Sequence, residues 1–448
     1  MYYERTIESV VRNVSETFPV LLLTGPRQVG KTTLLERIAE PERKRVTLDN
    51  PTVRALARSD PELFLQRYAP PVLIDEVQYA PELFPYLKII ADRRKQPGDF
   101  WLTGSQMFRM MKNVTESLAG RAGIVPMLGL SSSEIDGYRR GAFEVDIPAL
   151  TQRIRDARPL GVTEVFERIF TGSMPRLYEL ENINRELYFE SYLDTYLSRD
   201  IRDLEQVADE TSYMNFLKIA AARTATNVNY EAMAQEAGIS PPTAKKWLSV
   251  LVSCGIVALI EPYANNALKR VIKAPRMYFL DTGLCAHLLG WGSAAVLERS
   301  AMSGAFFETW VVSEVYKSYL NAGKRPQLYF YRDSNRKEID LIIYRDGTVF
   351  PIEIKKSAAP AHAVKNFSVL RPIAEWAEKS GGEEAPGGGA EPNCGADTGS
   401  GAESNCGADS GSSFAGMKTA VGTGAVVCLA SDVLPIDREN WYIPAWLI

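Results

Sequence analysis

Short apolar runs and helical segments alternate over roughly the first 130 residues. The runs stop at polar or Gly-rich turns, which is the pattern of buried parallel strands. They lie at residues 20–23, 46–48, 72–74, 100–102 and 123–130, and helical-period segments at 32–39 and 81–94 separate them. This alternation predicts an α/β fold, with a parallel sheet covered by helices on both faces.

A helical region at residues 164–208 follows, and the pattern changes again near residue 213. Two helices are predicted at 216–222 and 230–237, a third at 244–252, and two strands at 256–260 and 271–279 around a polar turn at 265–266. Ser240 as N-cap, followed by Pro241, is a strong start for the third helix, and Gly255 ends it. Helix, helix, turn, helix and hairpin is the order of a winged helix-turn-helix.

The last part of the chain is a second α/β region. A helix is predicted at 306–320, and strands are predicted at 328–331, 339–344, 349–354 and 426–430. Residues 380–413 interrupt it with a tandem repeat rich in Gly, Ala, Ser and acidic residues. Such a segment has too little apolar surface to offset its ordering entropy, so we expect a disordered insertion. Cys394 and Cys406 are then repeat copies rather than metal ligands.

The charge and cysteine content of the chain limit the functions that it can have. The formal net charge is −4, but residues 380–413 hold six acidic residues and no Lys or Arg, so the remainder carries +2. Any DNA-binding surface must therefore be a local patch. Five cysteines without a C-x-x-C pair and only two histidines give no zinc-site spacing. A disulfide framework is not expected in a chain this long, so the predicted compartment is the reducing cytoplasm. The charged N-terminus and the lack of a membrane-length apolar run predict a soluble protein with no membrane partner.

A phosphate-binding motif follows the first predicted strand. Residues 25–32 fit G-x-x-x-x-G-K-[ST] and open a predicted helix, which is the context that the motif requires. The nucleotide-binding prediction comprises Gly25, Pro26, Arg27, Gln28, Val29, Gly30, Lys31, Thr32 and Thr33. Lys31 would neutralise the phosphate oxygens, and the Thr32 hydroxyl would ligate Mg²⁺.

Two carboxylates end the strand predicted at 72–74. Ligands of open α/β sheets bind at the carboxyl ends of strands, so Asp75 is predicted to hold the magnesium and Glu76 to activate the attacking water. Thr103 or Ser105, after a third strand, is either a sensor of the γ-phosphate or a simple strand cap. Arg121 is the candidate arginine that completes the site.

A second group of charged residues is predicted in the C-terminal region. Glu353 and Lys355 share one strand face, and a hairpin turning at 346–347 can bring Asp340 beside them. Two carboxylates can bind Mg²⁺ or Mn²⁺ while an adjacent lysine stabilises charge, and Glu308 can add a fourth group.

The predicted winged helix carries a basic patch. The residues between positions 241 and 276 include six bases and one acid; the bases are Lys245, Lys246, Lys269, Arg270, Lys273 and Arg276. Phosphate contact by such residues gives sequence-neutral, salt-sensitive DNA affinity. Packing against the ATPase domain or a second subunit is the alternative.

With these motifs, the chain resembles prokaryotic AAA-type ATPases that carry a C-terminal domain of unknown function with a restriction-endonuclease-like, PD-(D/E)XK core. The resemblance spans nearly the whole length and is carried by the winged-helix segment and by residues 25–33, 73–78, 102–106, 117–121, 278–283, 307–308, 329–332, 338–340 and 352–356. It implies that Asp340, Glu353 and Lys355 match the nuclease triad, with Glu308 as the helical acid. Ile339 stands where the pattern usually has proline.

The predicted organisation has four parts. They are an ATPase domain at 1–135, a helical lid or linker at 136–208, a winged helix at 209–280 and a nuclease-like domain at 281–448. We expect Mg²⁺-dependent ATP hydrolysis coupled to a DNA-associated activity, with metal-dependent cleavage as one form of it. The alternative is an ATP-dependent switch whose nuclease-like domain is only a scaffold for protein partners. A homo-oligomer is compatible with either hypothesis.

Overall fold

The computed structural model describes residues 2–104, 117–179, 183–196, 210–263, 274–370 and 420–448. The N-terminal sheet has five strands: β1 (Val20–Thr24), β2 (Lys44–Thr47), β3 (Val72–Asp75), β4 (Phe100–Gly104) and β5 (Ala122–Pro126). All are parallel, in the order β2-β3-β4-β1-β5. The predicted parallel sheet is therefore confirmed.

Both faces of this sheet are covered, and β1 has buried apolar side chains on both of its faces from Val20 to Leu23. Val20 and Leu22 of β1 enter one hydrophobic cluster, whereas Leu21 and Leu23 enter the other. This follows from the alternation of side chains along a strand. The covering helices are α1 (Glu8–Thr17), α2 (Lys31–Ile38), α3 (Pro51–Ser59), α4 (Pro61–Arg67) and α5 (Leu83–Arg94).

Helices dominate the middle of the described chain. They are α6 (Ser132–Ile135), α7 (Ile147–Asp156), α8 (Val162–Thr171), α9 (Arg176–Glu179), α10 (Arg185–Tyr196), α11 (Glu210–Ala222), α12 (Tyr230–Ala237) and α13 (Pro241–Ser253). Ser240 caps α13 by accepting from the Thr243 backbone N–H, as the sequence predicts. Three short strands accompany the last helices: β6 (Thr226–Asn227), β7 (Val257–Pro262) and β8 (Arg276–Phe279).

The second sheet joins these strands to the C-terminal part of the chain. Its further strands are β9 (Leu328–Arg332), β10 (Glu338–Arg345), β11 (Thr348–Lys355), β12 (Ala420–Val421), β13 (Gly424–Cys428), β14 (Leu434–Pro435) and β15 (Asn440–Pro444). The order is β14-β15-β13-β11-β10-β9-β7-β8-β6, with β12 on β11. Three helices precede them: α14 (Thr282–Leu288), α15 (Ala294–Arg299) and α16 (Ser303–Asn321).

Buried polar contacts join the two halves of the molecule. The Ser132 backbone N–H donates to Glu314 on α16 at 2.8 Å, and Lys317 donates to the Leu130 carbonyl at 3.0 Å. Asp281 accepts from the Ser173 hydroxyl at 2.6 Å. Buried polar groups with partners of this kind fix the relative placement of the elements that carry them.

Two predicted features lie outside the described residues: the turn at 265–266 and the insertion at 380–413. Within the described ranges, the helices are all too short or too polar to cross a bilayer.

Candidate nucleotide and carboxylate sites

The glycines of the phosphate loop occupy positions that a side chain would block. Gly25 has a φ of +143°, and a Cβ atom there would lie 1.9 Å from the Met127 carbonyl oxygen. Gly30 has a φ of +91° and is the N-cap of α2. The first N–H groups of a helix have no partner within it, so the start of α2 presents donors suited to phosphate.

Lys31 lies buried at the start of α2. Its ammonium donates to the Gly25 carbonyl at 2.9 Å and to the Pro26 carbonyl at 2.7 Å. These contacts hold the charge against the loop that the motif predicts will surround phosphate.

Asp75 is the point where three elements of the site meet. One carboxylate oxygen accepts from the Thr32 hydroxyl at 2.6 Å and from the Thr103 hydroxyl, and the other accepts from the Thr47 hydroxyl at 3.3 Å. A hydroxyl beside a carboxylate is a donor set that Mg²⁺ takes, so Thr32 and Asp75 fit this ion.

Glu76 has a backbone conformation that non-glycine residues rarely adopt, with a φ of +57°. Its N–H donates to the Thr103 hydroxyl at 3.1 Å, and the Gln78 side chain donates to its carboxylate. Strained residues of this kind cluster at functional sites. Thr103, one of the two sensor alternatives, therefore contacts both acidic residues.

The remaining predicted loop residues, Arg27, Gln28, Val29 and Thr33, belong to the same turn and to the first turn of α2. Gln28 also has a positive φ of 62°. Ser105 lies outside the described residues.

Arg121 is not brought to this site, which corrects the interpretation of it as a residue that completes its own chain's site. It precedes β5, and its carbonyl accepts from the N–H of Val20 at the beginning of β1. The phosphate loop follows the other end of β1, so Arg121 lies at the opposite edge of the sheet. Its guanidinium pairs with Asp92.

Two further contacts to the loop have no local sequence signal. Arg5 donates to the Val29 carbonyl at 2.9 Å and to the Leu128 carbonyl at 2.8 Å. Gly255, after α13, is so close that a Cβ atom there would lie 3.1 Å from the Pro26 ring. Because these partners are distant in sequence, no spacing reveals them.

The hairpin of β10 and β11 brings the second charged group together. Lys355 lies 2.7 Å from a Glu353 oxygen and 3.1 Å from an Asp340 oxygen. The Ile354 backbone N–H also donates to Asp340 at 2.9 Å. Both carboxylates are buried, each with 7% of its surface exposed. Paired buried carboxylates beside a lysine are the arrangement that the sequence predicts.

Arg276 enters this group from β8, which corrects its interpretation as a DNA-facing base. Its guanidinium lies 3.3 Å from Glu308, contacts Glu338, and lies 4.0 Å from Asp340. The Tyr278 hydroxyl donates to Glu308 at 2.7 Å. Burial lowers the pKa of Arg276, but Tyr278 and the carboxylates outweigh this effect and raise it overall. Arg276 is therefore a buried cation within an acidic cluster.

Two acidic groups here are hard to ionise. Burial raises the pKa of Glu308 from 4.5, and the charge of Asp340 raises it further, to about 7. Burial and the same neighbour raise the pKa of Glu353 to about 7, against the opposing effect of Lys355. Perturbed carboxyl groups with a specific charge partner are typical of functional sites.

Carboxylates that could bind a metal ion are present, but they are divided between two parts of the cluster. Among the residues that the structure describes, no three acidic, histidine or cysteine side chains are arranged to hold a metal ion. The Oε2 atom of Glu353 is nevertheless buried without a hydrogen-bond partner. A buried carboxylate oxygen without a partner, beside Asp340, is a suitable ligand for a divalent cation. Glu308 and Glu338 are instead paired with Arg276.

The predicted DNA-binding helix α13 presents Lys245, Lys246 and Ser249 to solvent. Lys269, Arg270 and Lys273 lie outside the described residues.

Comparisons with known proteins match three parts of the chain. Residues 17–136 match the family described as AAA domain. Residues 162–295 and 303–382 match two domains of unknown function, DUF8612 and DUF4143.

Two relatives match a longer part of the chain than any one of these family models. The uncharacterised proteins Mb2031c of Mycobacterium bovis and Rv2008c of Mycobacterium tuberculosis are each 29% identical over 354 residues, covering 78% of this chain and 73% of the relative. Among solved structures, the Walker-type ATPase paby2304 of Pyrococcus abyssi is 16% identical, with 64% of this chain and 96% of that chain covered and a TM-score of 0.40.

Proposed function

We propose that this chain, whose residues 17–136 form an AAA-type P-loop ATPase domain, hydrolyses ATP with Mg²⁺ and couples the nucleotide cycle to an activity on DNA. The observation that carries the ATPase part is the hydrogen-bonded group of Thr32, Asp75 and Thr103 at the end of the phosphate loop. The DNA part is supported by the lysines of α13 and by the buried carboxylates of the second sheet.

In this proposal each residue of the nucleotide site has one task. Lys31 leaves the loop carbonyls to neutralise the β- and γ-phosphate oxygens. Thr32 and Asp75 would hold Mg²⁺, which would supply positive charge beside the phosphate oxygens. Glu76 accepts a proton from the attacking water, and Thr103 keeps both acidic residues in place. Release of Glu76 from Gln78 would accompany this step.

Contacts around the phosphate loop, one of them with the end of α13, support coupling. Pro26 packs against Gly255 at the end of α13, and Arg5 ties the Val29 carbonyl to the Leu128 carbonyl. A shift of the loop on nucleotide binding would therefore press on the segment between α13 and β7. Packed interfaces of this kind convert small displacements into discrete rearrangements.

Domain roles follow the predicted division. We assign 136–208 to a helical lid or linker, 209–280 to a winged helix-turn-helix and 281–448 to a nuclease-like domain. The order α11, β6, α12, α13, β7, β8 supports the winged helix. The helix α16 before the β9–β11 strands, with parallel β13 and β15, supports the nuclease-like fold. Parallel pairing of β7 with β9 joins strands of residues 209–280 and 281–448 in one sheet.

Binding to DNA would use the exposed face of α13. Lys245 and Lys246 would contact phosphates, which gives affinity that falls steeply with salt and little sequence preference. In a nuclease, Asp340 and Glu353 would hold the metal and Lys355 would stabilise charge at the phosphate.

A switch without cleavage is the second candidate, and Arg276 favours it. Its guanidinium already pairs with Glu308 and Glu338, so the cluster as it stands contains a cation supplied by the protein itself. In that case the nuclease-like domain serves as a scaffold that responds to nucleotide.

The test compares wild type with Asp340→Asn on plasmid and branched DNA. Incubations contain Mg²⁺ or Mn²⁺, with and without ATP. Asp346→Asn, at the β10–β11 turn of the same hairpin, is the matched control. Cleavage by wild type and the control, but not by Asp340→Asn, is the result expected for a nuclease. Absence of cleavage under every condition, with ATP hydrolysis intact, would replace the nuclease with the switch.

A further inference from the structure

We infer that Arg276 is a built-in competitor of the divalent cation, so that its guanidinium must leave the carboxylate cluster before a metal can bind there. This inference rests on the proposed metal site at Asp340 and Glu353. It means that a strand of the proposed winged helix controls metal binding in the neighbouring nuclease-like unit.

The position of the guanidinium is the first observation. It contacts carboxylates from two different elements, Glu308 on α16 and Glu338 at the beginning of β10. It is also stacked on the ring of Phe330, 4.7 Å from the ring centroid. Only 5% of the side chain is exposed. A group held on several sides in this way is a fixed part of the cluster rather than a surface base.

The charge balance is the second observation. Four carboxylates, from Glu308, Glu338, Asp340 and Glu353, face two cations, Arg276 and Lys355. Replacing Arg276 with a neutral side chain leaves Lys355 as the cation of this group. The local field then favours a divalent cation more strongly, because opposite charges attract most in a buried site.

The orphaned oxygen is the third observation. Glu353 uses Oε1 for Lys355, whereas its buried Oε2 has no hydrogen-bond partner. Buried carboxylate oxygens normally have partners, so this atom indicates a ligand position. Arg276, together with the Tyr278 hydroxyl, keeps Glu308, the acid that would complete the set, on the guanidinium side of the cluster. The same cation thus offsets part of the negative charge of the site and helps to withhold one of its ligands.

The geometry of β8 explains how the competitor can be moved. Arg276 is the first residue of β8, a strand of four residues paired with β7 and β6. Because β8 pairs with β7 and β6 and not with the hairpin, a displacement of this strand end would withdraw the guanidinium without requiring the Asp340–Lys355 hairpin to move.

The experiment measures Mn²⁺ binding to the full chain by titration calorimetry, without DNA or nucleotide. Arg276→Met removes the charge and retains much of the apolar stem. We expect Mn²⁺ to bind at least about tenfold more tightly than in the wild type. Arg276→Lys retains a cation and should stay close to the wild type. Arg153→Met is the matched control, because Arg153 is a buried arginine that donates to backbone carbonyls at 2.7–2.8 Å and also lies over a phenylalanine ring.

The site of binding is checked with a double variant. Adding Asp340→Asn to Arg276→Met should abolish the gain in Mn²⁺ affinity. If Arg276→Met does not fold by circular dichroism, Arg276→Gln replaces it, since it is neutral but can still donate to Glu338. Equal or weaker Mn²⁺ binding by the folded neutral variant would overturn the inference.

Failure of this inference and failure of the proposed nuclease give different results. Tighter Mn²⁺ binding by the neutral variant without any DNA cleavage would refute the nuclease activity but support Arg276 as a competitor of the metal. Cleavage by the wild type with unchanged Mn²⁺ affinity in the neutral variant would support the nuclease activity but refute the competition by Arg276.

Discussion

The contact between Gly255 and Pro26 can be tested by adding a single methyl group. Gly255 has a φ of +70°, and a Cβ atom there would lie 3.1 Å from two atoms of the Pro26 ring and 3.4 Å from Leu128. The Gly255→Ala substitution therefore adds backbone strain and pushes the phosphate loop. The matched control is Gly238→Ala, at a φ of +67°, where a Cβ atom meets nothing within 4 Å.

The two effects have separable magnitudes. The left-handed conformation costs a non-glycine residue roughly 1–2 kcal/mol, so both variants should lose about that much free energy of unfolding. Only Gly255→Ala also displaces Pro26, by a few tenths of an ångström. Since catalytic geometry is sensitive on the scale of 1 Å, we expect ATP affinity to fall about three- to tenfold, or roughly 0.7–1.4 kcal/mol.

The assay titrates a fluorescent ATP analogue into both variants and the wild type, and thermal unfolding gives their stability. Equal ATP affinity in Gly238→Ala and Gly255→Ala, with both equally destabilised, would show that the end of α13 does not influence the phosphate loop. Weaker binding in Gly255→Ala alone supports the coupling that we propose.

Three further results are expected. Glu76→Gln should bind ATP normally but hydrolyse it about 10²–10⁴-fold more slowly in a phosphate-release assay, and wild-type turnover would exclude its role as base. Replacing both Lys245 and Lys246 with Glu should weaken DNA binding in a gel shift and make its salt slope shallower by about two. Burial, with the charge of Asp340, raises the folded-state pKa of Glu308 to about 7. Ionising Glu308 therefore lowers the free energy of unfolding; this loss is absent below about pH 4.5 and grows as the pH rises towards 7. Glu308→Gln should therefore reduce the fall in unfolding free energy between about pH 5 and 7 by on the order of 2 kcal/mol, and an unchanged slope would contradict this cause.

The nucleotide site was predictable because its residues follow strand ends. Thr32 and Asp75 are 43 residues apart, yet a parallel sheet brings the carboxyl ends of its strands to one edge. The Asp340–Lys355 contact was predictable for a similar reason, since a short hairpin fixes which residues face each other. In both cases local periodicity defines the geometry.

Arg121 and Arg276 were placed incorrectly because periodicity does not report which partner a long cation meets. Arg121 follows the strand that carries Thr103 in sequence, but the length of the sheet separates it from the phosphate loop. Arg276 lies among other basic residues, and its carboxylate partners are 32 and 62 residues away on separate elements. Burial of a single arginine among acids leaves no pattern in the sequence. The pairing of β7 with β9, which makes that burial possible, leaves none either.

The position of β8 links the two sites and sets an energetic condition on the coupling. Leu280 follows β8 and packs with Leu128, whose carbonyl accepts from Arg5 beside the phosphate loop, while Arg276 begins the strand. Removing one partner of a buried ion pair costs about 3–5 kcal/mol. A nucleotide shifts a conformational equilibrium only by its difference in affinity for the two states. Micromolar ATP binding corresponds to about 8 kcal/mol, so roughly half of it would have to favour the state with Arg276 withdrawn. A divalent cation that replaces the lost positive charge lowers this requirement, and by reciprocity it must then strengthen nucleotide binding.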